Sequence, residues 1–255
     1  MYVMGIDIGS AYSKGVIMQE GEVMGSLVAQ SGGDYRNTAE TIKDGLLSMT
    51  ELRKDDIAYA VATGYGAKSV EFTQEVVTDI SCHGKGIYFL APSVRTAVDV
   101  GDLFSKALRI DERGNLRNFL MSGKCAGGSA RILQIIAKVL QVKLEEIGEL
   151  SLQSTKRIDF NTGCAVFSET EAISRIAEGA AKEDLLAGIH RALAAQIQSL
   201  AERVGIEKDY ALVGGGAKDK GLVKAIEEAV GYTIIVPEEP QLTAALGAAV
   251  IAEEK

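Results

Sequence analysis

The chain has little of what several protein classes depend on. Its 255 residues include only 3 prolines and 3 cysteines, and no apolar run approaches the ~18–20 residues that span a bilayer. The N-terminal apolar segment contains Asp7 and no cationic region precedes it, which speaks against a signal peptide. We therefore expect a cytoplasmic protein whose thiols stay reduced, and the odd number of cysteines argues against a disulfide framework.

Positive charge is also in deficit. Lys and Arg total 27 against 35 Asp and Glu, which gives a net charge of −8 at pH 7. Binding to nucleic acids or anionic membranes draws on clustered cations, so neither is expected as a partner. A chain of this length buries about 70–75% of the surface that its unfolded form exposes, so it needs no disulfide or metal merely to fold. The length allows one large or two small domains.

A short segment near the N-terminus recurs in the middle of the chain. Residues 3–17 combine an apolar strand, an acid, a glycine turn and a second strand, and residues 95–109 repeat that pattern 92 positions later. Both copies run on into another turn and strand. The repeat therefore predicts a β-meander followed by helices, present twice, with one unit in each domain. The repeated residues are Asp7, Gly9, Ser13 and Lys14 in the first copy and Asp99, Gly101, Ser105 and Lys106 in the second.

Helices and further strands alternate in the rest of the chain. Strands that alternate with helices after each meander predict an α/β protein with two similar sheets. The apolar spacing predicts helices over 37–51, 130–142, 184–204, 221–230 and 243–252, with another begun by Ser168. Apolar runs predict strands over 57–63, 210–213 and 234–236.

The glycine turns are suited to nucleotide binding. A glycine after a strand lets backbone N–H groups approach a polyphosphate because no Cβ intervenes, and the preceding acid can hold Mg²⁺ through water. One such motif often only ends a strand, but two copies in register favour a nucleotide clamped between two domains. The P-loop sequence is absent, which excludes a P-loop NTPase. The candidate contacts are Gly9, Ser10, Ser13, Lys14 and Gly101, with Gly214, Gly215 and Gly216 beside the base or ribose.

These motifs resemble the two phosphate motifs and the adenosine motif of the actin, sugar-kinase and Hsp70 ATPase superfamily. Within it, the chain resembles the ATP-dependent activators of 2-hydroxyacyl-CoA dehydratases and benzoyl-CoA reductases, the BadF/BadG/BcrA/BcrD family. The shared stretches run nearly end to end: GIDIGS at 5–10, ATGYG at 62–66, ISCH at 80–83, KCAG at 124–127, CAVF at 164–167, AGIH at 187–190, GGGA at 214–217, PQL at 240–242 and ALGA at 245–248.

The resemblance implies an actin/Hsp70/sugar-kinase-like α/β fold, with two duplicated ribonuclease-H-like domains around a nucleotide cleft. The first domain would span 1–94, joined by the C-terminal helix 241–255, and the second 95–240. ATP or ADP and Mg²⁺ would be bound, with Asp7, Asp99 and Asp102 as the catalytic acids and Lys218 and Gln241 as further nucleotide contacts. Lys218 fits a solvated charge equally well.

Two of the cysteines are candidate metal ligands. Cys125 and Cys164 each stand just before a predicted helix, whose dipole stabilises a thiolate. Two thiolates cannot complete a [4Fe–4S] cluster, which commonly takes four, but two subunits together can. The resemblance implies one [4Fe–4S] cluster bridging a homodimer or a heterodimer with a paralogous subunit. A shared zinc site and two merely buried cysteines are the alternatives, and Cys82 is assigned to packing.

The second phosphate motif departs from the usual activator sequence Asp-Ile-Gly-Gly-Gln-Asp. Here Asp99-Val-Gly-Asp-Leu-Phe104 places Leu103 and Phe104 where a Gln and an Asp would orient water and metal. Asp102 offers one carboxylate in partial compensation. A similar loss is a feature of the BcrD/BadG-type subunit, so nucleotide binding and cluster ligation are better supported than autonomous hydrolysis.

The function implied is an iron–sulfur ATPase subunit that passes low-potential electrons into a CoA-thioester reductase or dehydratase. A ferredoxin or flavodoxin would be the electron donor. Two alternatives remain. One is a small-molecule kinase of the same superfamily, and the other is a non-hydrolysing nucleotide-binding regulator, which the loss of the Gln and Asp favours.

Overall fold

A computed structural model describes residues 1–123, 125–160 and 165–255. Their contacts divide the chain into two compact units. Unit 1 comprises Met1–Arg95, Ile110–Arg117 and Gln241–Lys255, and unit 2 comprises Thr96–Arg109 and Asn118–Pro240. None of the helices in the described ranges has both the length and the hydropathy of a membrane-spanning segment.

The described elements alternate along the chain. The strands are β1 Tyr2–Ile8, β2 Tyr12–Gln19, β3 Glu22–Gln30, β4 Ile57–Thr63, β5 Glu75–Val76, β6 Thr96–Val100, β7 Ser105–Ile110, β8 Leu116–Met121 and β9 Tyr210–Val213. The helices are α1 Tyr35–Met49, α2 Asp79–Leu90, α3 Arg131–Leu140, α4 Ile147–Ser151, α5 Ala165–Ala177, α6 Lys182–Val204, α7 Lys220–Val230 and α8 Thr243–Glu253.

Unit 1 is built on a sheet in the order β3-β2-β1-β4-β5. β1 is antiparallel to β2 and parallel to β4, so it lies inside the sheet. Because side chains alternate along a strand, Ile6 packs with Ile42 of α1 on one face, while Val3 packs with Ala248 of α8 on the other. β1 is therefore covered on both faces and reads as a nearly continuous apolar run.

The C-terminal helix α8 packs at backbone distance inside unit 1. A Cβ on Gly5 of β1 would collide with the carbonyl oxygen of Ala245, and one on Gly247 would collide with the carbonyl oxygen of Cys82 in α2. Glycine is the one residue that avoids these collisions, since every other side chain starts with a Cβ. These glycines therefore fix α8 against both β1 and α2.

Unit 2 repeats the same beginning on a sheet in the order β8-β7-β6-β9. β6 is antiparallel to β7 and parallel to β9, as β1 is to β2 and β4. α3 buries Ile132, Leu133 and Ile136 on one face in a core shared with α6 and α7. The two predicted meanders are therefore confirmed.

Most predicted elements are found, and two are wrong. Strands 57–63 and 210–213 have the predicted bounds, and the helices begin and end within a few residues of them. The predicted strand 234–236 is a single bridge from Ile235 to Ala211, since Pro237 follows and has no N–H for a ladder. The helix predicted to begin at Ser168 extends further toward the N-terminus, since the described helix Ala165–Ala177 already contains Ala165, Val166 and Phe167.

A buried carboxylate fastens the loop before α5 to the first turn of α6. Asp184 is 2% exposed, and its Oδ1 accepts bonds from Ser154 Oγ at 2.9 Å and from the N–H groups of Thr155 and Lys156 at 2.8 Å each. The N–H of Lys156, followed by the other donors, lowers the pKa of this carboxyl against the opposing effect of burial.

We predict that Asp184→Asn lowers the free energy of unfolding at neutral pH by on the order of 2 kcal/mol, because charge-assisted bonds are lost. A carboxyl whose pKa is lowered in the folded state stabilises above its unfolded pKa and loses that effect as the pH falls. The difference between variant and wild type should therefore shrink with acidification, measured by urea unfolding across the carboxyl range. Glu183→Gln, which removes the same charge one position earlier, is the control. An equal loss in both variants would contradict the prediction.

Candidate functional site

The repeated acid and lysine form the same ion pair in each unit. Asp7 and Lys14 stand opposite each other in the β1–β2 register, and Lys14 Nζ donates to Asp7 Oδ2 at 2.8 Å. Asp99 and Lys106 are paired in the same way on β6 and β7, at 3.0 Å. The two carboxylates are only 5% and 4% exposed. A buried charge is tolerated only when it is paired and hydrogen-bonded, and each lysine provides that partner for the carboxylate at its strand end.

A glycine from the neighbouring parallel strand closes the other side of each acid. β4 ends at Thr63 beside Asp7, and β9 ends at Val213 beside Asp99. The next residues, Gly64 and Gly214, have φ angles of 91° and 83°. A Cβ on either glycine would collide with Oδ1 of the nearby aspartate. A glycine is therefore required twice over, by its positive φ and by the carboxylate that it contacts.

The repeat extends two residues beyond these glycines. A Cβ on Gly66 would lie 2.5 Å from Ile8 Cγ2, and one on Gly216 would lie 2.6 Å from Val100 Cγ1. A 3-10 turn occurs at this place in both units, at Ala67–Ser69 and at Gly215–Lys218. The Gly-Tyr-Gly segment of unit 1 is thus the counterpart of the Gly triplet of unit 2. The sequence analysis does not predict that Gly64 contacts Asp7 or that Lys106 pairs with Asp99. The glycine after each strand and the repeated lysine are the sequence features that could have indicated these contacts.

Gly215 differs from its neighbours in the triplet. No described atom lies within 4 Å of the position that its Cβ would occupy, and its φ is not in the left-handed region. Packing in the described chain therefore gives no reason for glycine at this position, whereas Gly214 and Gly216 are required by Asp99 and Val100.

The predicted phosphate contacts divide between two faces of β2. Lys14 is on the face of Asp7, but the neighbouring Ser13 is on the opposite face and is fully buried. Ser13 Oγ lies 2.7 Å from Ser31 Oγ, which donates to the carbonyl oxygen of Gly9 at 2.7 Å. The structure thus brings Gly9, Lys14 and Asp7 together and places Ser13 behind the turn, where it supports the backbone of Gly9.

In unit 2, the glycine turn after β6 is closed by a backbone hydrogen bond. The N–H of Gly101 donates to the carbonyl oxygen of Phe104 at 3.0 Å. The Asp102 carboxylate faces α3, where Arg131 forms an ion pair with it and Gln134 Nε2 donates to Oδ1 at 3.0 Å. The predicted catalytic acid Asp102 therefore has protein partners on α3, while Asp99 is held by Lys106.

Lys218 belongs to unit 2, and Gln241 is the first residue of the C-terminal segment of unit 1. Lys218 Nζ is 3.3 Å from Glu239 Oε2, and both side chains are about half exposed, at 48% and 53%. Gln241 is in the 3-10 turn Pro240–Leu242, and the carbonyl oxygen of Pro240 accepts a bond from the N–H of Gly214 at 2.8 Å.

Behind the Gly triplet, a buried histidine holds the start of α7. His190 is 1% exposed, and its Nε2 lies 2.9 Å from Asp219 Oδ2. Asp219 Oδ1 caps α7 by accepting from the N–H of Leu222 at 3.0 Å. Since Asp219 directly follows the turn Gly215–Lys218, this pair fixes the end of that turn.

The cysteines differ in exposure. Cys125 is exposed at the start of the 3-10 turn Ala126–Gly128, and its carbonyl oxygen accepts from the N–H of Gly128 at 3.1 Å. Cys82 is buried, and that burial raises the pKa of its thiol to about 12, which makes it unreactive. Cys164, the other predicted metal ligand, lies outside the described residues. Within those residues, no group of three or more His, Cys, Asp and Glu side chains is arranged to hold a metal ion.

Each sheet starts with the same meander, and in each an aspartate at a strand end lies against a glycine from the neighbouring parallel strand. This arrangement defines an actin-like ATPase fold. A solved ROK family glucokinase from Streptomyces griseus, in complex with glucose and AMPPNP, shares this fold with a TM-score of 0.61 at 13% identity, over 100% of both chains. The predicted actin/Hsp70/sugar-kinase-like fold class is confirmed.

A family model described as the BadF/BadG/BcrA/BcrD ATPase family matches residues 4–252, and the chain belongs to this family. A 2-hydroxyisocaproyl-CoA dehydratase activator of Clostridioides difficile is 40% identical over 252 residues, covering 99% of this chain and 95% of that protein. One of the benzoyl-CoA reductase subunits of Thauera aromatica is 33% identical over 232 residues, covering 89% and 82%. The predicted family is confirmed.

Solved structures of activators are similar over the whole chain. Component A of the Acidaminococcus fermentans (R)-2-hydroxyglutaryl-CoA dehydratase has a TM-score of 0.96 at 37% identity, covering 100% of this chain and 98% of that one. An activator of the 2-hydroxyisocaproyl-CoA dehydratase from Clostridium difficile, with bound ADPNP, has a TM-score of 0.95 at 39% identity, covering 100% and 95%.

We predict that Gly64→Ala lowers the free energy of unfolding by about 2–4 kcal/mol, because the methyl group must displace the Asp7 carboxylate and the backbone is strained at positive φ. Gly21→Ala is the matched control, since Gly21 has a φ of 78° in the same unit with no atom near its Cβ. Urea unfolding of the two variants separates collision from strain. Equal losses would show that the contact with Asp7 contributes nothing.

Proposed function

We propose that this chain is an ATP-dependent activator that drives low-potential electron transfer into a CoA-thioester dehydratase or reductase. The observation that supports this most directly is the repeated arrangement at the strand ends, in which a buried Asp–Lys pair lies against a glycine in each unit. The names of two relatives indicate the kind of partner, since one is a 2-hydroxyisocaproyl-CoA dehydratase activator and another is part of a benzoyl-CoA reductase.

The nucleotide is proposed to be ATP or ADP with Mg²⁺, bound between two duplicated domains. The domains would be residues 1–94 with 241–255 and residues 95–240. The similar activator structure with bound ADPNP supports an adenine nucleotide. The carboxylates of Asp7 and Asp99 suit Mg²⁺, which usually keeps several waters and takes one or two carboxylates. Backbone N–H groups of the Gly9 and Gly101 turns would approach the phosphates.

Gly215 is proposed to contact the nucleotide directly. Packing inside the described chain does not require glycine at this position, and the open space beside it lets a ligand pass close to the backbone. Ser10 and Lys14 are proposed on the phosphate side, and Lys218 and Gln241 near the base or ribose.

We predict that Gly215→Leu weakens ADP binding by about tenfold or more, equivalent to about 1.4 kcal/mol, without lowering stability. The added side chain would occupy the space proposed for the ligand, and its Cβ would meet no described atom beyond the neighbouring residues of the chain. Gly33→Leu is the control, since Gly33 also has nothing within 4 Å of its Cβ and no positive φ. Titration calorimetry with Mg²⁺–ADP and thermal unfolding are the measurements. Unchanged ADP affinity in Gly215→Leu would refute the proposed contact.

Cys125 and Cys164 are proposed to ligate a [4Fe–4S] cluster shared between two subunits. The described member of this pair fits such a role, because Cys125 is exposed on a short turn whose next three residues are only Ala, Gly and Gly. A bound cluster would supply a one-electron store at low potential. This chain's part is to present sulfur where a second subunit can approach without large side chains in the way.

An exposed apolar face beside this segment supports a homodimer or a heterodimer with a paralogue. Val166 and Phe167 are each 66% exposed, and Ile173 is 54% exposed, on the helix Ala165–Ala177, which follows Cys164 in the sequence. Val166 and Ile173 are two turns apart and therefore share a face. Large side chains exposed together in this way mark an interaction surface.

We predict that the protein, reconstituted anaerobically with iron and sulfide, binds roughly four irons per dimer, and that Cys125→Ser abolishes this binding. Iron and sulfide analysis with EPR of the reduced protein measures it. Cys82→Ala is the control, because a fully buried thiol cannot serve a shared site. Full iron content in Cys125→Ser would contradict the assignment of this ligand.

The turn residues Leu103 and Phe104 favour a second candidate, a nucleotide-binding subunit that by itself leaves ATP intact. Both side chains are apolar and half-buried, and neither can orient water or metal. This candidate keeps the cluster and the partner but places hydrolysis in a paralogous subunit. A small-molecule kinase is less supported, because the similarity to the glucokinase extends to the fold alone.

The remaining parts of the proposal concern partners and location. A ferredoxin or flavodoxin is proposed as the electron donor, because a low-potential cluster needs a one-electron reductant. A cytoplasmic location, in which the thiols stay reduced, completes the proposal.

A further inference from the structure

The glycine turn after β6 is fastened to the segment that carries Cys125. The N–H of Ala130 donates to the carbonyl oxygen of Gly101 at 2.9 Å. Ser129 Oγ donates to the carbonyl oxygen of Asp102 at 2.8 Å. Ser129 and Ala130 follow Cys125 by only four and five residues, across the turn Ala126–Gly128. Two backbone carbonyls of the proposed nucleotide turn are thus bonded to the proposed ligand segment.

The side chain of Asp102 adds two more connections to the same place. Its carboxylate forms an ion pair with Arg131 and accepts from Gln134 Nε2 at 3.0 Å. Arg131 and Gln134 are three residues apart in the first turn of α3, so they present their side chains on one face. The Asp102 side chain is 10% exposed, and a carboxylate at the N-terminal end of a helix also gains from the helix dipole.

These connections join two segments that are separate in sequence. The turn 101–104 and the start of α3 share four bonds, two to backbone and two to the Asp102 carboxylate.

We propose that Asp102 is a positioning residue that couples the nucleotide turn to the Cys125 segment. The inference rests on the proposed function, since it takes the Gly101 turn as a nucleotide contact. When a nucleotide shifts this turn, Ser129, Ala130 and the first turn of α3 move with it, and the orientation of Cys125 changes. Packed elements of this kind pass on small displacements because they switch between discrete arrangements instead of deforming continuously.

The test follows Cys125 directly in the full chain freed of iron. Cys125 is alkylated with iodoacetamide, with and without saturating Mg²⁺–ADP, and its rate is read from the labelled peptide by mass spectrometry. Cys82 is the internal reference that stays unlabelled, because it is buried. We expect ADP to change the Cys125 rate on the order of fivefold or more, the lower end of ordinary coupling factors.

Asp102→Asn should bring the ratio of rates with and without ADP closer to one, because the charge that holds Arg131 is lost while the two bonds to backbone carbonyls remain. Gln134→Leu, which keeps the Asp102–Arg131 pair, should bring the ratio part of the way to one. It is the variant to use if Asp102→Asn does not fold. Glu228→Gln is the matched control. It removes a carboxylate from the exposed pair with Lys224 in the same unit, and should leave the ratio as in wild type.

The outcomes separate this inference from the proposed function. Wild-type protein that binds no ADP by calorimetry would overturn the proposed function, and the coupling with it. Wild-type protein that binds ADP with no change in Cys125 alkylation would overturn the coupling alone. A full ADP response in folded Asp102→Asn, or in Gln134→Leu when it is the variant used, would equally overturn it. A reduced response in Asp102→Asn and a smaller reduction in Gln134→Leu, with the control unchanged, support Asp102 as the coupling residue.

Discussion

A buried carboxylate held between a lysine and a glycine is the constraint on which the rest of this structure depends. Removing a charge from water costs several kcal/mol unless a partner and further hydrogen bonds compensate. Lys14 and Lys106 provide the partner, and the strand-end glycines Gly64 and Gly214 provide the space. The requirement fixes the strand registers as well, because the lysine must come from the antiparallel neighbour and the glycine from the parallel one.

The two units meet this requirement with the same backbone and different surroundings. In unit 1, the glycines of β1, α2 and α8 bring a small-residue helix into backbone contact with the sheet. In unit 2, the central core is made by the larger side chains of α3, α6 and α7. The second unit also adds features without a described counterpart in the first, namely the Asp102 contacts to α3 and the exposed Cys125 turn. The repeated strand arrangement thus provides a common frame, and unit 2 contains the Cys125 segment proposed for electron transfer.

The sequence predicts the meanders and the fold because its Asp, Gly, Ser and Lys recur at one constant spacing. It does not identify the contact of Gly64 with Asp7. That contact arises from the parallel pairing of β1 with β4, which a local sequence pattern does not predict. α2 is absent from the prediction because Gly84 and Gly86 weaken a helix in isolation, while contact with α8 stabilises it in the fold. The direction of the Asp102 carboxylate is equally a tertiary property, since Arg131 reaches it from an element 29 positions away.

The placement of α8 in unit 1 joins segments that are synthesised at very different times. Gly5 leaves the ribosome long before Ala245, whose carbonyl oxygen it packs against. One face of the central strand β1 therefore has no cover until α8 has been made. Closing so long a loop is slow compared with local pairing. A nascent chain, or one shortened before α8, exposes apolar β1 surface during that interval, so the early part of unit 1 is vulnerable to aggregation until the late helix arrives.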